Sequence, residues 1–91
     1  MRLSSVFIFQ GHQNNFPSAV FSTFDHAQVW IEQNQLDGIL TEYPLDYPIY
    51  NWAINHEYFK VKKEHDQSAK FIAGFSSAYL NHWHFTQGKT D

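Results

Sequence analysis

Two histidines separated by a single tryptophan, His82 and His84, have the spacing in this chain that comes closest to a chemical site. Side chains two positions apart on a β-strand point to the same face, so both imidazoles can reach one metal ion. A stable metal site needs at least one more donor, which the fold must bring close. The pair therefore predicts a metal or small-ligand site as an alternative function, with further ligands to come from His12, Glu64, His65 and Asp66.

The sequence gives less support for a catalytic site than for a metal site. Ser76 and Ser77 would be the nucleophiles if His82 or His84 served as the base, but no nucleophile-elbow motif surrounds these serines. The chain has no cysteine, and its four glycines are scattered instead of gathered in a phosphate-binding loop. We therefore predict no enzyme activity and no cofactor.

The charge distribution favours a basic partner. The 91 residues carry a net charge of −3, and residues 1–59 hold one base against six acids. An acidic surface does not suit nucleic acid, whose binding depends on neutralising phosphates, whereas it steers a basic protein toward it. The absence of cysteine fits the reducing cytoplasm, and the apolar run at residues 6–9 is far too short to span a membrane. We expect a cytoplasmic protein that binds neither membrane nor nucleic acid.

The elements that would position such residues alternate between strand and helix patterns. Residues 4–10 are apolar on both faces, which is typical of a central strand. The spacing of Phe24, Ala27, Trp30 and Ile31 predicts a helix capped by Thr23. Further strands are predicted near residues 18–22, 39–43 and 79–86, and a second helix is predicted to end near residue 57. Residues 60–68 are expected to form a solvated loop, and residues 68–75 stay open between helix and strand.

This order predicts an α+β fold. We expect a small, mostly antiparallel sheet in the order β-β-α-β-α-(short α)-β along the chain, with helices packed on one face. Residues 1–91 are predicted to form a single globular domain, in which residues 87–91 are a frayed tail. The order of the strands within the sheet stays open.

A dense group of aromatic and acidic residues lies at the centre of the chain, in residues 41–53. Pro44 ends the strand, Asp46 is expected to cap the second helix, and Pro48 is expected in its first turn. Tyrosine and tryptophan favour the centres of protein interfaces. The residues predicted to bind a partner protein are Glu42, Tyr43, Asp46, Tyr47 and Trp52.

The chain resembles a family of small, functionally uncharacterised bacterial domains over nearly its whole length. The resemblance rests on the sequence Leu-Thr-Glu-Tyr-Pro-Leu-Asp at residues 40–46, followed by Tyr50-x-Trp52-Ala53 and His82-x-His84, and its fairly specific part is Tyr-Pro-Leu-Asp at residues 43–46. The family pattern has an acid before the first paired histidine, where this chain has Asn81. The resemblance implies a bacterial, cytoplasmic setting and no particular activity, and the departure at Asn81 weakens a metal or acid–base role for the histidines.

These observations together predict a non-catalytic protein-binding module. An immunity protein that blocks a toxin, or a comparable small inhibitor, fits an acidic domain without catalytic groups. The expected partner is another protein, basic in character, and a homodimer is a further alternative, because a chain this short can cover some of its many aromatics by self-association. Ligand binding at His82 and His84 remains the rival function.

Overall fold

The computed structural model describes residues 4–90, which fall into two compact units, residues 4–45 with 80–90 and residues 46–79. The predicted α+β class with an antiparallel sheet is confirmed, whereas the single domain stays a prediction. None of the described helices is long and apolar enough to cross a membrane. The elements are β1 (Ser5–Gly11), β2 (Ala19–Phe21), α1 (Phe24–Gln33), β3 (Gly38–Pro44), α2 (Ile49–Asn55), a 3-10 helix (Glu64–Gln67), α3 (Ala69–Ala73), β4 (His82–Thr86) and β5 (Lys89–Thr90).

All five strands belong to the first unit and form one sheet in the order β2-β1-β3-β4-β5, with every neighbouring pair antiparallel. Phe9 of β1 lies opposite Leu40 of β3, which lies opposite Trp83 of β4. Residues directly opposite each other in an antiparallel pair point to the same side of the sheet. The register therefore assigns Phe7, Phe9, Leu40, Trp83 and Phe85 to one face.

Helix α1 covers that face, as the sequence predicts. The Thr23 hydroxyl accepts from the His26 N–H at 3.1 Å, which is the predicted N-cap. Ala27 and Ile31 are fully buried against the sheet. The buried core of the first unit consists of Phe9, Ala27, Ile31, Leu40 and Phe85, with partly buried Phe7, Ala19, Phe21, Phe24, Trp30, Leu36 and Trp83 packed around it.

The second unit is held together by aromatic rings. Tyr50 of α2 contacts Phe59, Phe71 and Phe75, with ring centroids 5.6–6.4 Å apart. The Ser68 hydroxyl accepts from the Phe71 N–H at 3.2 Å and caps α3. This cap shows that residues 69–73 are helical and settles the choice left open between helix and strand.

The predicted role of Asp46 as a helix cap is wrong. Asp46 has φ of 57° in the turn that follows β3, whereas an N-cap residue has an extended backbone. Pro48, with φ of −57° and ψ of 139°, holds the cap position, and α2 begins at Ile49, two residues later than a cap at Asp46 predicts. Asp46 is therefore an exposed turn residue.

The predicted frayed tail is also wrong for residues 87–90, while Asp91 lies outside the described residues. Thr86 pairs with Lys89 around a two-residue turn in which Gln87 and Gly88 have φ of 50° and 82°. Two positive φ angles define the type I′ turn, which matches the twist of a β-hairpin. The Gly88 N–H donates to the Leu36 carbonyl at 2.9 Å, which ties this hairpin to the chain that leaves α1.

Candidate functional site

Glu42 and Tyr43 occupy consecutive positions on β3, so their side chains point to opposite faces of the sheet. The Glu42 carboxylate accepts from the Ser5 hydroxyl at 2.5 Å and from Asn81 Nδ2 at 3.3 Å. It thereby links the start of β1 to the residue before β4. Tyr43 is half-buried on the face that α1 does not cover. A partner on one face of the sheet therefore cannot contact both side chains.

The other three predicted partner residues lie in the second unit. Asp46 is exposed, and the Tyr47 hydroxyl accepts from Asn55 Nδ2 at 2.7 Å. Trp52 is half-buried, and its ring lies 4.9 Å from that of His56 and 5.4 Å from that of Tyr58. Trp52 is therefore the predicted residue that stands within a larger group of exposed rings.

We call this group the aromatic row; it consists of Trp52, His56, Tyr58 and Tyr79. The rings of Tyr58 and Tyr79 are stacked at 4.1 Å with 6° between their planes, and His56 lies within 14° of the Tyr58 plane. Tyr58 is 45% exposed and Tyr79 65% exposed. Three nearly parallel rings thus continue from the tryptophan into solvent.

The backbone fixes the start of the aromatic row. Trp52 and His56 are four residues apart at the end of α2, a spacing that places them on the same side of the helix. His56 Nδ1 lies 2.8 Å from the Trp52 carbonyl oxygen, which can only accept, so this ring nitrogen donates the hydrogen bond. Glu57 has φ of 61° and turns the chain so that Tyr58 returns to the Trp52 ring.

The sequence prediction missed His56, Tyr58 and Tyr79. Tyr58 lies outside the aromatic cluster around Tyr50, which its neighbour Phe59 contacts. The spacing of Trp52 and His56 was the available sequence signal. Nothing local pairs Tyr58 with Tyr79, which is distant in the chain.

His82 and His84 do share a face of β4, as their spacing predicts. Their ring centroids are 5.3 Å apart, and both side chains are exposed. His82 Nδ1 donates to the Leu80 carbonyl at 2.8 Å, which leaves Nε2 as the free nitrogen of this ring. Among residues 4–90, no group of three or more histidine, cysteine or acidic side chains is arranged to hold a metal ion. The pair therefore supplies two donors to any metal, fewer than a stable site requires.

Asp66 is the buried charged residue of the second unit, in a segment predicted to be a solvated loop. Its Oδ2 accepts from the Lys62 and Lys63 N–H groups, each at 3.1 Å, and these two bonds hold the pKa of the Asp66 carboxyl below its usual range. The Tyr50 hydroxyl donates to the Asp66 carbonyl at 2.9 Å. These bonds give Asp66 a structural role, because they fold the lysine-rich segment over the aromatic cluster around Tyr50.

The first unit is an antiparallel sheet with one helix-covered face, and the second unit is built on packed aromatic rings, which together give an α+β fold. The chain belongs to the family described as Domain of unknown function (DUF7710), whose model matches residues 6–91. This confirms the resemblance to an uncharacterised domain family. No curated protein and no solved structure matches the chain.

Proposed function

We propose that this protein is a non-catalytic protein-binding module whose partner docks on the aromatic row. The observation that carries the proposal is the parallel stack of Tyr58 and Tyr79, exposed by 45% and 65%. Single exposed apolar residues are normal on a protein surface, whereas a contiguous exposed group is typical of an interaction site. Tyrosine and tryptophan supply large contact areas with little side-chain entropy to lose, which makes them frequent anchors of interfaces.

The chemistry of the row favours a basic partner. Arginine side chains stack on the faces of tyrosine and tryptophan, with a contribution of about 0.5–2 kcal/mol for each well-placed pair. The net charge of −3 would speed the approach of such a partner at low salt. An inhibitor or immunity protein that covers a basic enzyme or toxin in the bacterial cytoplasm uses only these two properties, binding and charge.

Affinity capture followed by titration tests this proposal. The full chain is immobilised, proteins from the native cytoplasm are captured at low salt, and each captured protein is identified and titrated against variants by calorimetry. We expect the double variant Tyr58→Ala/Tyr79→Ala to bind the captured partner at least about tenfold more weakly, as loss of an interface anchor does. Phe16→Ala is the matched control, because it removes an exposed aromatic ring of the first unit. Equal binding by the double variant, or capture of nothing above background, would contradict the proposal.

Ligand binding at His82 and His84 is the second candidate function. His84 lines an open groove of about 690 Å³ together with Ile8, Ile39 and Tyr43. Titration of zinc or nickel ions into the wild-type chain and into His82→Ala/His84→Ala tests it directly. Binding heat at micromolar protein that disappears in a folded double variant would favour this candidate over the first.

A further inference from the structure

His82 and His84 form one half of a metal site on the first unit. They lie opposite Thr41 and Ile39 on the sheet face that α1 does not cover, and both side chains are exposed. Among residues 4–90, no third histidine, cysteine or acidic side chain joins them in an arrangement that could hold an ion. The pair therefore faces outward and leaves the other coordination positions of a bound ion to donors from outside the chain.

The separation of the two rings matches a tetrahedral ion. Their centroids are 5.3 Å apart. With Zn–N bonds of about 2.0–2.1 Å, two imidazoles on a tetrahedral zinc ion have centroids about 5.2 Å apart. Two imidazoles at right angles, as in square-planar or octahedral sites, would have centroids about 4.5 Å apart. The spacing on β4 thus fits zinc better than it fits square-planar copper(II) or nickel(II).

The hydrogen bond of His82 is the kind that a metal ligand makes. Its Nδ1 donates to the Leu80 carbonyl at 2.8 Å, so Nε2 is the nitrogen with a free lone pair. Histidines that bind a metal almost always donate their other ring N–H to a carbonyl or a carboxylate, which fixes the tautomer and makes the ligand more basic. This bond supports a metal role independently of the ring separation.

We propose that a zinc ion joins two copies of this chain, with His82 and His84 of each copy as its four ligands. A second copy carries an identical pair, and a two-fold axis through the ion brings the two pairs into one tetrahedral set. Each copy has a net charge of −3, so the doubly charged ion offsets part of the repulsion between them. The inference rests on the second candidate function, ligand binding at this pair, and does not involve the aromatic row.

The charged side chains around the pair are compatible with a bound cation. Lys89 stands on the same side of the sheet, because it lies opposite Thr86 in the pairing of β4 with β5. Its side chain is exposed, and its flexible stem lets the ammonium group stay in water. His12 and Asp37 line the same groove as His84. Each copy thus contributes one ammonium group and one carboxylate to this side of the sheet, and their charges offset each other.

Sedimentation equilibrium of the full chain with and without zinc tests the inference. At about 50 µM protein and about pH 7.5 we expect a monomer in EDTA and a dimer that binds one zinc ion for two chains. His82→Gln and His84→Gln should each raise the dissociation constant of the zinc-dependent dimer at least about tenfold, because each removes one ligand from each copy. His26→Gln is the matched control, since it removes an exposed histidine from α1. Circular dichroism establishes that each variant is folded.

Calorimetric titration of zinc separates this inference from the function on which it rests. Binding heat with one ion for each chain and no dimer overturns the inference and leaves the second candidate function standing. No binding heat overturns both. A dimer that persists in EDTA, that His82→Gln and His84→Gln leave unchanged, or that His26→Gln weakens equally also overturns the inference, because its interface then lies elsewhere. None of these results depends on whether a partner binds the aromatic row.

Discussion

Replacing Gly88 by alanine is expected to destabilise the first unit substantially. Gly88 has φ of 82°, and a Cβ atom built there would lie 3.0 Å from Glu32 Cα and 3.1 Å from Gln35 Cα. Both neighbours are backbone atoms, which cannot move aside as a flexible side chain does. The residue is buried, so the added methyl group has no path into solvent.

The expected magnitude is the sum of two effects. The left-handed backbone is unfavourable for alanine by about 1 kcal/mol, and forcing a methyl group into a closely packed site adds about 1–3 kcal/mol. The variant should therefore lose about 2–4 kcal/mol of the free energy of unfolding, a large part of the stability of a typical small domain. Gly74→Ala is the matched control, because Gly74 has φ of −101° and its added Cβ would find its nearest atom at 3.6 Å. That variant should be neutral or stabilised by up to about 1 kcal/mol.

Urea denaturation followed by tryptophan fluorescence measures both variants. Trp30 and Trp83 pack around the core of the first unit, and Trp52 and Gly74 lie in the second unit, so the emission reports the unfolding of both units. The midpoint should fall for Gly88→Ala with an unchanged slope, since the same surface is exposed on unfolding. If Gly88→Ala unfolds at the wild-type midpoint, the close packing of the β4–β5 hairpin against the end of α1 is refuted, and residues 87–90 behave as the frayed tail that the sequence suggested.

Three further substitutions test other parts of the structure. Ile31→Ala should lower the free energy of unfolding by about 2–5 kcal/mol in the same denaturation experiment, because it leaves a cavity between α1 and the sheet. A loss below about 1 kcal/mol would mean that the site is not closely packed. Glu42→Gln should cost about 0.5–1.5 kcal/mol, since it weakens the bonds to Ser5 and Asn81, and an unchanged midpoint would argue against these bonds. The folded pKa of Asp66 is depressed, so its contribution is present above the ordinary carboxyl pKa and is lost as the pH falls through the folded value. In Asp66→Asn the melting temperature should therefore fall less steeply than in the wild type as the pH is lowered into the acid range. The same fall in both proteins would contradict this role.

Local patterns predicted the elements whose environment is set by their own sequence. The first strand was expected at residues 4–10 and is found at Ser5–Gly11, and α1 begins after Thr23 as expected. A short apolar run of β-branched and aromatic residues and a hydroxyl cap are properties of a few neighbouring residues, which is why they can be recognised without the fold. The shared face of His82 and His84 was predictable for the same reason.

Features that depend on distant residues were not predictable. The Asp46 cap failed because the turn after β3 takes a left-handed conformation, which a short polar residue tolerates but does not require. The hairpin at residues 87–90 depends on a bond from Gly88 to Leu36, far away in the chain. The aromatic row depends on Tyr58 stacking with Tyr79. In the last two cases the deciding contact joins residues whose pairing the sequence alone does not reveal.

The division of aromatic rings within residues 46–79 gives the strongest reason to place function in the second unit. Tyr50 is buried among Phe59, Phe71 and Phe75, and its hydroxyl is satisfied by the Asp66 carbonyl. These four rings pack together as the aromatic core of the second unit. The aromatic row adds exposed rings that contribute little to burial, since Tyr58 and Tyr79 remain largely in water. Stacking two exposed rings stabilises a fold by only about 0.5–1.5 kcal/mol. The same ordered pair can anchor an interface, where truncation of a single aromatic anchor often costs about 2 kcal/mol or more of binding free energy. Binding therefore explains the row better than stability does.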